Sequence, residues 1–349
     1  MLYGFKVFLG GMSALVVAAC LLYVGSKQPS RVFNVLLLYA NTVAYHEIAR
    51  NYFMEAVQEH RDARLSVKLL SAPNATDKIA IAAVCETALG TAADCIVVVG
   101  RNMSQLLVHL AMRKKIHTPI IFLAVERPVE LGMVQSLEHP GGDATGVFTA
   151  GLDGFRCGML LRLVCPQVHS VLLPYSVIND IDGAVQSRAT EVKQYLEARG
   201  VRVDIAALDT PADALKRIQG LLSRHDMLLT LEGDDLNGSI YQGLARLAYK
   251  RDIGFFSGYK WALAEGALFT YAVEPRYVAN AAFELVKQIL YYGAHPSTMQ
   301  VVSLASSREF IINQKRAAEL GLTIDVDAVI EKINVDPDLE CVRGRVRVV

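Results

Sequence analysis

The sequence predicts an α/β protein with two Rossmann-like lobes, each built on a parallel sheet, and a hinge between them. Its 349 residues exceed the usual size of one domain, so two hydrophobic cores are expected. Short β-branched runs alternate with amphipathic segments, which is the pattern of parallel strands covered by helices on both faces. The same alternation begins again near the middle of the chain. Two sequential α/β sheets follow from this repetition.

The first round of alternation contains seven segments. In chain order they are strand Val32–Leu38, helix Tyr45–His60, strand Arg64–Leu70, helix Ala75–Leu89, strand Cys95–Val99, helix Asn102–Lys114 and strand Pro119–Leu123. The last strand ends at the Arg127–Pro128 loop. The continuous apolar runs among these strands predict a sheet that is buried on both faces.

The second round has nine segments and ends in a long helix. They are helix Gly154–Leu163, strand Ser170–Leu173, helix Gly183–Arg199, strand Arg202–Ala206, helix Pro211–Leu222, strand Met227–Leu231, helix Ser239–Lys250, strand Ile253–Phe256 and helix Pro275–Tyr291. Proline at the start of Pro211–Leu222 and of Pro275–Tyr291 suits the first turn of a helix.

The N-terminal segment predicts export. Val7–Val24 is apolar and free of charge, with Lys6 before it and a polar break over residues 25–30, as in a signal peptide or a membrane anchor. Val17–Cys20 resembles a bacterial lipobox, which would place a lipid on Cys20. The apolar run continues through Leu21–Val24, so an uncleaved anchor remains an alternative, as does an ordinary cleaved signal. Each of these three interpretations places the rest of the chain outside the cytoplasm.

The charge and the cysteine content exclude some kinds of binding partner and cofactor. The 35 basic residues equal the 35 acidic ones, so no excess charge draws the chain to nucleic acid. Besides Cys20, five cysteines remain: Cys85, Cys95, Cys157, Cys165 and Cys341. This odd number argues against a disulfide framework and favours buried thiols, although Cys85 and Cys95 flank one turn and a bridge between them stays open. The histidine and cysteine spacing does not suggest zinc, and no cofactor is expected.

Candidate binding residues follow the strands directly, because the carboxyl ends of parallel strands converge on a crevice. They are Tyr39, Asn41, Thr42, Gly100, Arg101, Asn102, Glu126, Arg127, Tyr175, Ser176, Glu232, Asp234, Asp235, Gly258, Tyr259, Lys260 and Trp261. Polar residues also crowd loops for local reasons, so a purely structural role is the alternative for each. The predicted ligand site consists of Tyr39, Asn41, Thr42, Arg101, Arg127, Tyr175, Asp234, Tyr259 and Trp261.

Three stretches of the chain resemble a known family. Residues 123–147 contain Pro128-Val129, Gly132-Met133-Val134 and a Pro-Gly-Gly-Asp-Ala-Thr-Gly run at 140–146, which resemble motifs of the ABC transporter substrate-binding family related to tryptophan and tyrosine uptake proteins. The Leu36–Thr42 stretch and the closing Asn313–Ile324 stretch are similar to that family as well. The resemblance spans most of the chain that follows the N-terminal segment.

The resemblance implies the type I periplasmic-binding-protein fold and the following organisation. Residues 1–30 are the signal peptide or anchor, residues 31–147 form lobe 1, and residues 148–271 form lobe 2. About residues 272–296 return to lobe 1, and the lobe of the C-terminal segment 297–349 stays open. Hinges are expected near Phe148–Gly151 and near Tyr271–Pro275.

The function implied is an extracytoplasmic solute-binding protein of an ABC transport system, held at the membrane by its N-terminus. A small ligand would bind between the lobes, close them, and pass to an ABC permease. The alternative is a tethered sensor that reports its ligand to a membrane signalling protein. A degenerate lobe pair without a ligand is a third possibility.

Departures from the family pattern bear on the ligand. Arg127 stands where the family often has an aspartate, and a guanidinium there favours a carboxylate or another anion. Tyr39, Tyr259 and Trp261 are suited to stacking on a flat ring. The predicted ligand is therefore aromatic or anionic.

The sequence gives little support for an enzyme or a DNA-binding regulator. Gly-x-Ser-x-Gly, Walker, Gly-x-Gly-x-x-Gly and His-Glu-x-x-His motifs are missing from the sequence, so an enzyme is not predicted. Asp234 and Asp235 could form an acid–base pair, but adjacent carboxylates after a strand more often cap a helix. An apolar segment occupies the place where a regulator of this architecture would carry its helix-turn-helix, so DNA is not an expected partner.

Overall fold

The computed structural model describes residues 31–61, 64–149, 151–177 and 183–349. The predicted signal or anchor, with Cys20, lies outside these residues. Over the described ranges, no helix combines the length and the apolar character needed to cross a bilayer.

Thirteen strands lie in the described residues. They are β1 (Phe33–Ala40), β2 (Leu65–Ala72), β3 (Cys95–Val99), β4 (Ile120–Val125), β5 (Ala144–Phe148), β6 (Ser170–Ser176), β7 (Arg202–Leu208), β8 (Met227–Thr230), β9 (Gly254–Ser257), β10 (Phe269–Val273), β11 (Val302–Ser303), β12 (Arg308–Ile312) and β13 (Val346–Val348).

Ten α-helices lie in the same part of the chain. They are α1 (Ala44–His60), α2 (Lys78–Leu89), α3 (Arg101–Lys114), α4 (Gly154–Val164), α5 (Ala184–Glu197), α6 (Pro211–Leu222), α7 (Asp235–Lys250), α8 (Pro275–Tyr292), α9 (Gln314–Glu319) and α10 (Val326–Val335). Side-chain caps begin several of them: Asp77 accepts hydrogen bonds from two amides of α2, and Asp153 accepts one from α4.

The strands form two sheets, and the fold predicted from the sequence is confirmed. The six-stranded sheet of lobe 1 has the order β11-β5-β4-β3-β1-β2, and its strands are parallel. The seven-stranded sheet of lobe 2 has the order β13-β12-β10-β9-β8-β6-β7, with β12 antiparallel to β10. Every residue of β3, β6 and β8 is buried, as expected for strands with helices on both faces.

The chain passes between the lobes three times. It leaves lobe 1 after β5, returns from β10 into α8, which packs on α1 and β4, and leaves again between β11 and β12. The C-terminal segment 297–349, which the sequence did not assign to a lobe, is divided between the two. Val302–Ser303 joins the first sheet, and residues 308–349 complete the second. The crossings lie side by side, because Ser303 pairs with Phe148 in the first sheet and Arg308 pairs with Val273 in the second.

The five cysteines in the described residues are free thiols, and no bridge joins Cys85 to Cys95. Cys85, Cys95, Cys157 and Cys165 are buried, and burial raises the pKa of each thiol. Such thiols are inert packing groups.

A cavity between the two lobes

A cavity of ≈ 40 Å³ lies where the carboxyl ends of strands from both sheets face each other. Loops after β1, β3, β4 and β5 supply the lobe 1 wall, and loops after β8 and β9 supply the lobe 2 wall. The lining residues are Val43, Tyr45, His46, Gly100, Arg101, Ala124, Glu126, Thr149, Glu232, Gly233 and Tyr259. Larger hollows, such as one of ≈ 440 Å³ beside Tyr249 of lobe 2 and one of ≈ 340 Å³ beside Val108 of lobe 1, are each lined by a single lobe.

The lobe 1 wall is fixed by close packing of His46 on Gly100. Gly100 has φ +91° at the N-terminus of α3, and a Cβ there would lie 2.3 Å from His46 Nε2. His46 is 4% exposed, and burial lowers its pKa from 6.5 to about 4. Arg101, the next residue after Gly100, is buried beside it. At neutral pH this wall therefore offers an uncharged imidazole and a guanidinium.

Gly100→Ala is expected to lower the free energy of unfolding by about 2–4 kcal/mol, because it combines a positive φ with a steric overlap on His46. Denaturant unfolding of the full-length chain measures this cost. Gly200→Ala is the matched control, since Gly200 has φ +79° and nothing within 4 Å of a Cβ. It should cost only about 1 kcal/mol. Equal losses at the two positions would show that the packing on His46 contributes nothing.

A backbone irregularity directs Glu126 into the space between the lobes. The register of β4 on β5 shifts between Leu123 and Val125, where Ala124 has φ +56°. Arg127 follows at φ +58°. Two non-glycine residues with left-handed backbone so close together are uncommon, and such strain is concentrated at functional sites. The result is that the Glu126 side chain is buried while Arg127 turns toward solvent.

Two ion pairs involve the glutamates that line the cavity, Glu126 and Glu232. Glu126 Oε2 is 3.0 Å from Arg188 Nη1, which joins lobe 1 to α5 of lobe 2. Glu232 Oε2 is 2.6 Å from Nη1 of Arg308, whose side chain is 1% exposed. Burial raises the pKa of Glu232, and Arg308 opposes that shift. The site thus holds two acidic and two basic groups in a small, poorly hydrated volume.

Four aromatic rings from the two lobes pack together at the cavity, which Tyr45 and Tyr259 line. Tyr45 of lobe 1 lies 5.5 Å from the Trp261 ring of lobe 2, centroid to centroid. Tyr259 and Tyr241 lie 5.1 and 5.7 Å from the same indole. Burial raises the pKa of Tyr45, and Glu232 raises it further. Trp261 Nε1 is buried and has no hydrogen-bond partner among the described residues.

Four of the nine predicted site residues lie at or beside this cavity. Arg101 and Tyr259 line it, and Trp261 packs on Tyr259. Asp234 lies directly behind the Glu232–Gly233 wall, where its carboxylate accepts hydrogen bonds from the amides of Ser176 and Asn237 at 2.8 and 3.1 Å. That position makes Asp234 a helix cap that fixes the loop.

The other five lie apart from the cavity wall. Tyr39 is buried toward α1 and accepts a hydrogen bond from Arg50 at 3.0 Å, and Tyr175 is part of the lobe 2 core. Asn41 and Thr42 are exposed, and each bonds within lobe 1. The Arg127 side chain is 49% exposed and 3.9 Å from Glu130, at the edge of an adjoining cavity of ≈ 170 Å³.

Several residues of this site lie outside the predicted ligand site. Glu126 and Glu232 follow strands and belong to the wider candidate set, but the predicted site contains their neighbours Arg127 and Asp234 instead. Tyr45, His46, Arg188 and Arg308 lie on helices or on a late strand, so a rule that takes residues directly after the predicted strands does not include them. Of these four residues, only Tyr45 and His46 have a sequence position that indicates a ligand site, since they occupy the first turn of a helix that follows a strand.

The sequence of residues 49–335 matches the family model described as ABC transporter substrate binding protein. The chain belongs to this family. Substrate-binding proteins of ABC systems bind small solutes outside the cytoplasmic membrane, and the two lobes with their intervening cavity have the architecture of that family. In the described residues, no group of three or more histidine, cysteine, aspartate or glutamate side chains is placed to hold a metal ion.

Similar proteins include one sequence relative and two solved structures. A tyrosine-binding protein of Clostridioides difficile is 24% identical over 204 residues, which are 58% of this chain and 57% of that protein. The ABC domain of a Streptococcus pneumoniae protein in complex with L-Trp has a TM-score of 0.72 at 19% identity, covering 90% of this substrate-binding protein and 100% of that chain. A conserved domain protein of Vibrio cholerae gives 0.74 at 18% identity, covering 91% and 100%. The structural likenesses establish the fold.

Proposed function

We propose that this chain is the solute-binding component of an ABC importer and that it closes on a small aromatic or charged ligand in the cavity between its lobes. The observation that carries the proposal is that both lobes supply side chains to one cavity at the carboxyl ends of their strands. Charged groups and aromatic rings both line it. Arg101, Tyr259 and Trp261 are the sequence-predicted residues assigned to the ligand.

The permease recognises the closed arrangement of the lobes. A ligand that contacts both lobes binds the closed arrangement more tightly than the open one and shifts the population toward it. Two contacts between the lobes support this proposal: Tyr45 lies on Trp261, and Glu126 pairs with Arg188. The three chain crossings beside the cavity form the hinge.

We assign the N-terminal segment to export and tethering. A lipidated Cys20 or an uncleaved apolar anchor would hold the lobes next to a permease in the same membrane. This assignment rests on the apolar run of residues 7–24 and its lipobox-like end. Globomycin treatment of a bacterium expressing the chain distinguishes the two, because only the lipoprotein would accumulate as an unprocessed precursor.

A ligand screen on the full-length chain in mild detergent tests the function. The library contains amino acids, nucleobases, vitamins, aromatic acids and sugars, and the readout is the melting temperature. A ligand that binds only the folded state at 100 times its Kd stabilises that state by about 2.7 kcal/mol. A saturable rise with one chemical class establishes a solute-binding protein. No rise with any class contradicts the proposal.

Trp261→Leu is expected to weaken an aromatic ligand about tenfold, because the stacking surface is lost. Isothermal titration calorimetry measures the change. Trp261 is the sole tryptophan of the sequence, so in the unsubstituted chain its fluorescence should also change saturably with the same ligand. Tyr292→Leu is the control, since Tyr292 is 81% exposed at the end of α8. Equal affinities for the Trp261 variant and the unsubstituted chain would remove the indole from the site.

A further inference from the structure

The cavity of ≈ 440 Å³ beside Tyr249 is lined by lobe 2 alone, and we call it the basic pocket. Its walls come from the end of α7, residues 263–266, Asn313 and α9. α7 ends just before β9, residues 263–266 lie just before β10, and these two strands are parallel. The basic pocket therefore lies at the amino ends of β9 and β10. The interlobe cavity lies at the other end of β9, where Tyr259 lines it.

Positive charge predominates in the basic pocket. Its charged lining residues are Arg246, Lys250, Lys315 and Arg316, which are basic, and Glu265 and Glu319, which are acidic. Each acid lies near an arginine: Glu265 Oε2 is 3.8 Å from Arg246 Nε, and Glu319 Oε2 is 3.1 Å from Arg316 Nη1. The ion pairs of the described residues include neither Lys250 nor Lys315, both of which are exposed. The two lysines therefore supply positive charge that no adjacent carboxylate neutralises.

Arg316 is a fixed charge in the wall of the basic pocket. The residue is 3% exposed, and its guanidinium lies 4.4 Å from the centroid of the Tyr249 ring. Its Nη2 donates to the Tyr249 carbonyl at 3.4 Å, and among the described residues no hydrogen-bond partner reaches its buried Nε. Asp252 also lies 3.7 Å from Nη1, but its side chain is 79% exposed, so water screens that carboxylate. A charge held in a poorly hydrated wall attracts an anion more strongly than the same charge in water.

An apolar surface lies next to these charges. Tyr249 is 49% exposed, and its ring packs on Gly266, where a Cβ would lie 2.8 Å from Tyr249 Cδ2. Gly266 has φ +92°, so the backbone conformation and the ring contact both favour glycine at this position. Leu263 and Ala264 extend the apolar lining. The pocket volume also falls within the range of about 300–1,000 Å³ that is usual for small-molecule sites.

The charge and the lining together decide which ligand fits. A carboxylate carries one negative charge and would leave one lysine without a counterion. A phosphate monoester carries a charge of about −1.5 to −2 at pH 7 and three acceptor oxygens, so it offers acceptors to both lysines. Its organic group would cover the apolar lining. A phosphate diester keeps the organic groups but has only one negative charge.

We propose that the basic pocket binds a small phosphate monoester, with Lys250 and Lys315 donating to the phosphate oxygens and the organic group lying on Tyr249 and Leu263. Arg316 adds a fixed positive charge to the same wall. The inference does not depend on the solute that occupies the interlobe cavity, because the two sites lie at opposite ends of β9. The chain would then hold a second, separate ligand.

The test uses ligands that differ in charge or in the organic group. The full-length chain in an uncharged detergent is titrated calorimetrically at pH 7 with phenyl phosphate, methyl phenyl phosphate, benzoate and inorganic phosphate. Phenyl phosphate should bind saturably, and each of the other three about tenfold or more weakly, because a charge or the ring is missing. The inference is overturned if phenyl phosphate gives no saturable heat, or if any of the other three binds as tightly.

Single substitutions locate the binding. Lys250→Gln and Lys315→Gln should each weaken phenyl phosphate about 5- to 10-fold, the effect of one exposed charge-assisted hydrogen bond. Both lysines are exposed, so neither substitution disturbs the core. Lys193→Gln is the matched control, since it removes the same charge from an exposed pair with Glu197 on α5 and should leave the affinity unchanged.

A substitution in the interlobe cavity tests the alternative location. If Trp261→Leu weakens phenyl phosphate while the lysine variants do not, the ester binds between the lobes and the inference is wrong. It is also wrong if Lys193→Gln weakens binding as much as Lys250→Gln and Lys315→Gln, since the attraction would then come from the overall charge of the protein.

Discussion

Replacing Arg308 with methionine lowers the free energy of unfolding by about 3–5 kcal/mol, because it leaves the Glu232 carboxylate buried without its counterion. The Arg308 side chain is 1% exposed and also lies over the Tyr271 ring at 5.2 Å, so water does not replace the lost charge. Denaturant unfolding of the full-length chain at pH 7 measures the loss. This is the largest single-residue effect expected in lobe 2.

A second variant separates charge from packing. Adding Glu232→Gln to Arg308→Met should recover at least half of the lost stability, because the uncompensated charge is then gone. The exposed pair of Arg276 and Glu55, 3.2 Å apart with both side chains 49% exposed, gives the matched control. Arg276→Met should cost no more than about 1 kcal/mol. An Arg308 variant as stable as the Arg276 variant would contradict the expected role of the buried pair.

Acidification should destabilise the chain through His46. Its pKa is lowered by burial from 6.5 to about 4, so between these values the unfolded chain binds a proton that the folded chain does not. Stability is then fully present above pH 6.5 and is lost as the pH falls toward 4, by about 3 kcal/mol in total. The slope of unfolding free energy against pH measures the effect.

The control variants for this titration remove one histidine each. His46→Gln should flatten the slope between pH 6.5 and 4, whatever its effect on stability at pH 7. His139→Gln, at an exposed loop position, should leave the slope unchanged. A His46 variant with the slope of the unsubstituted chain would show that this imidazole is not held neutral by the fold.

The elements that the sequence predicted are those whose patterns are local. β3 was predicted as Cys95–Val99 and found there, and α6 was predicted as Pro211–Leu222 and found there, because a bounded apolar run and a proline-started amphipathic segment are unambiguous. β5 was missed because Gly141, Gly142 and Gly146 suggest a turn. The structure gives Gly146 another role: a Cβ there would lie 2.2 Å from the Phe122 carbonyl of the neighbouring strand. A close approach between strands is invisible in the sequence.

The site was predicted in part for a similar reason. The rule that ligands bind after parallel strands led to Arg101 and Tyr259, both of which line the cavity. It could not choose Glu126 over Arg127, because the irregular backbone at Ala124 decides which of the two side chains points inward. Arg188 lies on a helix and Arg308 on a strand far along the chain, so only the tertiary fold brings them to Glu126 and Glu232.

The late position of β12 in the chain imposes an order on folding. β10 has five buried residues, Phe269–Val273, and one of its edges is covered only when β12 pairs with it after α8 and β11 have been made. Until then a nascent chain presents an apolar strand with unpaired backbone groups, which another copy can pair with. During synthesis lobe 2 is therefore completed after lobe 1, and intermolecular pairing at this edge becomes more frequent as the protein concentration rises.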